Sequence, residues 1–134
     1  MAKFLRSASI CFSAGCVGGL ANSVALWLGG QYGLTALLGV RLAPQLSPAW
    51  LYPRLVWGGL WGLLFLLPLL PRKWVTRGLV LSLGPSLVQL FYVFPFQADQ
   101  GQLGLGLGTL TPLVVLLVNA IWGLVTAAWA DMAK

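Results

Sequence analysis

The chain reads as an all-α, polytopic membrane protein with four transmembrane helices and a short interfacial or re-entrant helix between the first and second. Three observations predict this class. The 134 residues are 59% hydrophobic but only 7% charged, whereas a soluble domain carries about 25% charged residues. Four apolar runs are each long enough to cross about 30 Å of hydrocarbon, which takes roughly 20 helical residues. The basic residues fall at the ends of those runs rather than on a polar face.

The first span covers about 7–29, starting in "MAKFLRSASICFSAGC". This stretch has a basic start and small residues before Cys16, the outline of a lipoprotein signal. Ser13 stands where such a signal needs a branched apolar residue, and the apolar run continues to Gly29. An uncleaved transmembrane helix is the better reading, because a signal's apolar region is shorter. Cys11 and Cys16 would point about 140° apart on a helix and read as two small buried residues, not a bridge.

The second span covers about 50–70. Ser47 can cap it and Pro48 suits the first helical position. Pro53 and Arg54 predict a bend near the membrane surface, and Pro68 and Pro71 end the span. The third covers about 74–95 and the fourth about 110–130, where Thr111 can cap and Pro112 starts the helix. Residues 30–49 are too apolar for a solvated loop, so "LTALLGVRL" is the expected interfacial or re-entrant helix. Residues 96–109, "FQADQGQLGLGLGT", have neither the lysine nor the strand-to-helix setting of a phosphate-cradling loop. They read as a flexible, partly membrane-dipping connection.

Charge sets the direction. Lys3, Arg6, Arg72, Lys73, Arg77 and Lys134 fall on one side of a four-pass layout, and Arg41 and Arg54 on the other. Basic residues favour the cytoplasmic side, so both termini are expected there. Trp27, Tyr32, Trp50, Tyr52, Tyr92, Phe94 and Phe96 gather near the outer boundary, and Trp74 and Trp129 near the inner one, at headgroup level. Arg72, Lys73 and Arg77 form a compact basic turn suited to topology anchoring and to anionic-lipid contact.

Helix faces carry the rest. Ala8, Cys11, Gly15, Gly18, Asn22, Ala25 and Gly29 follow a strict 3-4 spacing, which draws a narrow seam along the first span. Gly58 and Gly62 mark the second, Gly78 the third and Gly123 the fourth. In lipid, helices associate through close packing and interhelical hydrogen bonds, so these small residues should turn inward and the leucines outward. Asn22 and Gln89 fall roughly 6–7 Å outside the midplane, with Asn119 nearer to it. An unsatisfied amide in hydrocarbon costs several kcal/mol. The three should therefore cluster, with Ser82, Ser86 and Tyr92 as further partners and a spare carbonyl released by Pro85. That cluster reads either as structural glue or as the lining of a polar pocket.

Chemistry is conspicuous by what is missing. The chain has no histidine and only two acids, Asp99 and Asp131. Proton-coupled transport wants an intramembrane carboxylate, histidine or lysine, and nucleophilic catalysis wants an activating base. Neither is present near a span's centre, so no catalytic residue, metal or cofactor is expected. This separates the chain from small multidrug transporters, with their membrane-embedded glutamate. It also departs from small fluoride channels in pattern and in charge bias.

"LSPAWLYPRLVWGGLWGLLFLLP", preceded by "GGLANSVALWL", resembles small four-helix bacterial inner-membrane proteins, over most of the chain. The resemblance implies a bacterial, multi-pass protein of the inner membrane and no substrate. Two functions follow as expectations. The leading one is a non-enzymatic protein that packs against itself or a larger membrane complex, since four helices bury little surface. The other is a passive channel or carrier for a small neutral or anionic solute, lined by Asn22, Gln89 and Asn119. The lipid bilayer is the expected partner, and nucleic acid is not.

Overall fold

The computed structural model describes residues 1–67 and 73–133. The expectations placed on Pro68, Pro71, Arg72 and Lys134 lie outside the described residues. Within them the chain is all-helical, without strands. Helix α1 (Ala2–Gln31) is followed by a single turn, α2 (Leu34–Leu37). Helix α3 (Pro48–Gly62) continues as a 3-10 segment (Leu63–Leu66). Helices α4 (Trp74–Leu81) and α5 (Leu83–Val88) run on into a π-helix (Gln89–Gln97). A 3-10 loop segment (Gln102–Leu107) precedes α6 (Thr111–Met132). Three rods are long and apolar enough to cross a membrane: Ala2–Gln31, Trp74–Gln97 and Thr111–Met132.

Local chemistry explains these boundaries. Ser47 caps α3, its Oγ accepting from Trp50 N at 3.3 Å, with Pro48 inside the first turn. The helix runs on through Pro53. At Gly62 it tightens to 3-10 geometry, so regular α-helix here covers fifteen residues, Pro48–Gly62. The rod from Trp74 breaks register at Ser82, three residues before Pro85, which has no N–H to give. It widens to π-geometry around Pro95, where Ala98 N reaches back five residues to Val93 O at 2.8 Å. A π-register opens the turn and makes room for a ring that an α-turn would meet as a clash.

Two expectations about the connections change. "LTALLGVRL" supplies only one helical turn, because Gly39 takes a left-handed φ of 73° and turns the chain. Thr35 then closes the loop, Oγ1 donating to Leu42 O at 2.7 Å. The glycine-rich connection is folded down onto the bundle. Leu103 and Leu107 pack on Leu90, Phe94 and Val115, which buries Phe94 rather than setting it among headgroups. Gly104, at φ 71°, lies flat on the Phe94 ring, where a Cβ would fall 2.7 Å from Cε2. Thr111 does not cap α6. Leu110 holds that position, and Thr111 is buried with its Oγ1 unpartnered among the described residues, its methyl against Gly104.

The helices form a curved row in which α3 packs on α1, α1 on α6, and α6 on α4. Glycine sets each approach. A Cβ on Gly58 would lie 2.8 Å from Gly15 O, one on Gly62 2.5 Å from Cys11 O, and one on Gly78 2.6 Å from Gly123 O. Gly18 faces α6, where a Cβ would lie 2.7 Å from Trp122 O. The α1 seam is therefore two adjacent faces, Gly15 and Gly19 toward α3 and Gly18 and Asn22 toward α6. Trp122 bridges the row, its indole N–H shared between Gly15 O and Gly58 O at 3.3 Å each. Many leucines, among them Leu20, Leu60, Leu79, Leu83 and Leu117, lie exposed on the outside. The ends of α1 and the π-helix and the starts of α3 and α6 share one end of the row, tied by Arg41 N to Leu107 O at 2.8 Å. This is the loop end of the row.

Candidate functional site: a polar node beside a cleft

Four helices each send a polar side chain to one node. From α1, Asn22 donates through Nδ2 to Asn119 Oδ1 at 2.8 Å and to Val118 O at 3.0 Å. From α6, Asn119 donates to Ser86 Oγ at 3.1 Å and, at the 3.5 Å limit, to Gln89 Oε1. From α5, the Ser86 hydroxyl donates to Ser82 O at 2.8 Å. From α3, Arg54 donates through Nη2 to Asn22 Oδ1 at 2.6 Å and through Nε to Ser23 Oγ at 2.8 Å. The order of donation runs one way, Arg54 to Asn22 to Asn119 to Ser86 to the Ser82 carbonyl. Asn22 and Asn119 are each only 6% exposed.

Not every expected member joins. Ser82 is buried but turns its Oγ onto Leu79 O at 2.7 Å, and it reaches the node only through its carbonyl. Tyr92 is exposed and pairs with the Phe96 ring at 5.9 Å, one turn from the amides. The π-helix begins at Gln89, and this change of register presents Gln89 and Tyr92 to the same cleft.

Arg54 is the member that sequence reading placed elsewhere, at a surface bend. It is half-buried beneath the node, with its guanidinium 4.7 Å from the centre of the Trp50 ring. The signal lay in "PAWLYPRLVWGGLW". A lone cation inside an apolar run marks a functional position in a membrane protein by default.

A cleft of about 400 Å³ opens beside the node, between α3 on one wall and α5 with the π-helix on the other. Arg54, Trp57 and Trp61 line the first wall, and Val88, Gln89 and Tyr92 the second. Away from the loop end the walls meet. Leu64 and Trp61 lie against Gly84, where a Cβ would fall 3.1 Å from Leu64 Cδ1 and 3.5 Å from the indole. A second cavity of about 360 Å³ sits nearer the loops, lined by Leu42, Trp50, Val114 and Val118 with Arg41. Arg54 and Gln89 line both cavities. Neither Asp99 nor Asp131 lines either one.

The basic turn at the opposite end is divided. Lys73 is exposed. Arg77 is turned inward, Nη2 donating to Phe65 O and to Leu67 O at 3.0 Å, with its guanidinium 5.3 Å from the centre of the Phe65 ring. It closes the carbonyl end of the 3-10 segment. Among the described residues no group of His, Cys, Asp or Glu could hold a metal ion. Cys11 packs in the core with Phe65 and Trp122, and Cys16 lies against Gly59.

No protein-family model, curated protein or solved structure matches the chain.

Proposed function

We propose that this is a four-span, non-enzymatic protein of the bacterial inner membrane, with both termini cytoplasmic and a cleft that accepts a small polar or anionic group from the loop end. The fourth crossing would be α3 with its 3-10 extension. Pro48–Leu66 rises about 30 Å, enough for the hydrocarbon core. Four crossings also fit the meeting of both connections at one end of the row.

The observation that carries the reading is the state of Arg54. Its Nε and Nη2 are engaged, while Nη1 makes no hydrogen bond among the described residues. A guanidinium in a cleft without an acid is an uncompensated charge, and removing such a charge from water is costly unless something negative or strongly dipolar faces it. A polar or anionic ligand would supply that. The test is thiol labelling in a background with Cys11→Ala and Cys16→Ala. Gln89→Cys should react with a membrane-impermeant reagent from the loop side, and Asn22→Cys more slowly. A Gln89→Cys that stays unlabelled would remove the cleft from consideration.

A second reading, an accessory protein that packs against itself or a larger complex, draws on the mutual satisfaction of Asn22 and Asn119. Such a seam is structural, at about 0.6 kcal/mol per bond on average. It ranks lower because Gly15, Gly18, Gly58, Gly62, Gly78 and Gly123 are each spent on another helix of the same chain. None of these six glycines is therefore left facing outward for a partner.

A further inference from the structure

Resting on that reading, we infer that the cleft is a binding site for the anionic headgroup of a membrane lipid, held between Arg54 and Gln89. Two residues that line the same space each keep a donor with no partner among the described residues. On α3, Arg54 Nη1 is unengaged, and on the π-helix Gln89 uses its Oε1 toward Asn119 while its Nε2 donates to nothing among the described residues. Both residues line both cavities, so they sit at the junction between them. A pair of donors, one of them charged, is the complement of an acceptor-only group such as a phosphate or carboxylate, and charge-assisted bonds of this kind are the strong ones. Tyr92 adds a hydroxyl at the same wall.

The walls around that pair decide between a lipid and a dissolved anion. Trp57, Trp61 and Val88 flank it on one side, and Leu42, Val114 and Val118 on the other. A hydrated inorganic ion gains nothing from apolar walls and loses water to enter. An acyl chain gains by lying along them. Trp57 and Val88 line the cleft and are themselves exposed, so an acyl chain has apolar surface to follow at its mouth. Trp61 and Leu64 come together with Gly84 at the end away from the loops, which favours a seat over a conduit.

The test uses the full chain purified in a neutral maltoside detergent. Phosphatidylglycerol, phosphatidylcholine of the same chains, and inorganic phosphate are added in separate arms. Lipid retention is read by native mass spectrometry and stability by thermal unfolding. Phosphatidylglycerol should be retained and should raise the midpoint, with phosphatidylcholine and phosphate inert. Arg54→Gln should weaken retention roughly ten- to a hundredfold, the worth of a hydrogen bond to a charged group. Arg54→Lys should restore part of it, and Lys73→Gln should change nothing. Should Arg54→Gln fail to fold, Gln89→Leu carries the same comparison with a smaller loss. Retention that survives Arg54→Gln and Gln89→Leu but falls with Lys73→Gln moves the lipid to the basic turn and overturns the inference. Equal stabilisation by inorganic phosphate overturns the lipid as occupant while keeping the cleft. Absence of any retained phosphatidylglycerol, with Gln89→Cys still labelled, does the same; if that thiol is also inert, both readings fall.

Discussion

Asn22 Nδ2 on α1 donates to Asn119 Oδ1 on α6 at 2.8 Å, across 97 residues of sequence. This bond joins the two central helices of the row, and each amide uses its other end on an outer helix, Asn22 toward Arg54 and Asn119 toward Ser86. One carboxamide pair therefore couples four rods.

Asn119→Leu cuts the pair but strands little. Asn22 keeps Val118 O and Arg54, and Ser86 keeps Ser82 O. The expected loss is about 1–2 kcal/mol, within the range for a bond made between buried groups. Unfolding in detergent, by heat or by dodecyl sulfate, should move to milder conditions. An unchanged midpoint would show that the bond contributes nothing.

Gly58→Ala and Gly33→Ala separate two uses of glycine. At Gly58 a methyl would stand 2.8 Å from the Gly15 carbonyl, on a backbone that cannot yield without parting α1 from α3. The cost should be about 1–3 kcal/mol, as for overpacking a filled core. Gly33 has open space around it but a φ of 79°, so alanine there meets only the left-handed penalty of about 1 kcal/mol. Thermal midpoints should fall further for Gly58→Ala, and the reverse order would argue against a close α1–α3 contact.

Trp122→Phe keeps an aromatic ring near Phe65, whose ring stands 5.9 Å from the indole at 68° and edge-on, and loses the shared N–H together with part of the buried indole. The N–H is worth about 1 kcal/mol, and the lost indole area adds to that. Trp122→Leu also loses ring area in the core and should cost more. Equal midpoints for the two variants would mean that the ring is not seated in the core as described.

Much of this was legible in the residues. Helical class followed from apolar length, and small residues at 3-4 spacing marked faces that do meet other helices, because lipid offers few other ways to join them. Asn22 and Asn119 stood out as amides with nowhere else to bond. Arg54 was misplaced because counting charges treats an arginine near a span's start as a topology signal. Its long side chain instead reaches inward to Asn22 and Ser23. Tyr92 was placed only in part. Helical periodicity put it on the Gln89 face, and it does line the same cleft, but its ring is exposed and pairs with Phe96 rather than bonding to the amides. The short α2 and the folded glycine loop depend on left-handed backbone at Gly39 and Gly104, which hydropathy does not report. Thr111 looked like a cap by type, and lost that role because the folded loop buries it.

Whether α3 crosses the bilayer decides most of what is proposed, since both cleft walls and the placement of Arg54 depend on it. Single cysteines at Gln45 and at Lys73, in a background without Cys11 and Cys16, bracket that helix and can be labelled in sealed vesicles of known orientation. Four crossings predict that an impermeant thiol reagent reaches these two positions from opposite faces, with Gln45 on the same face as a cysteine at Gln97. Labelling of Gln45 and Lys73 from one face would contradict the account.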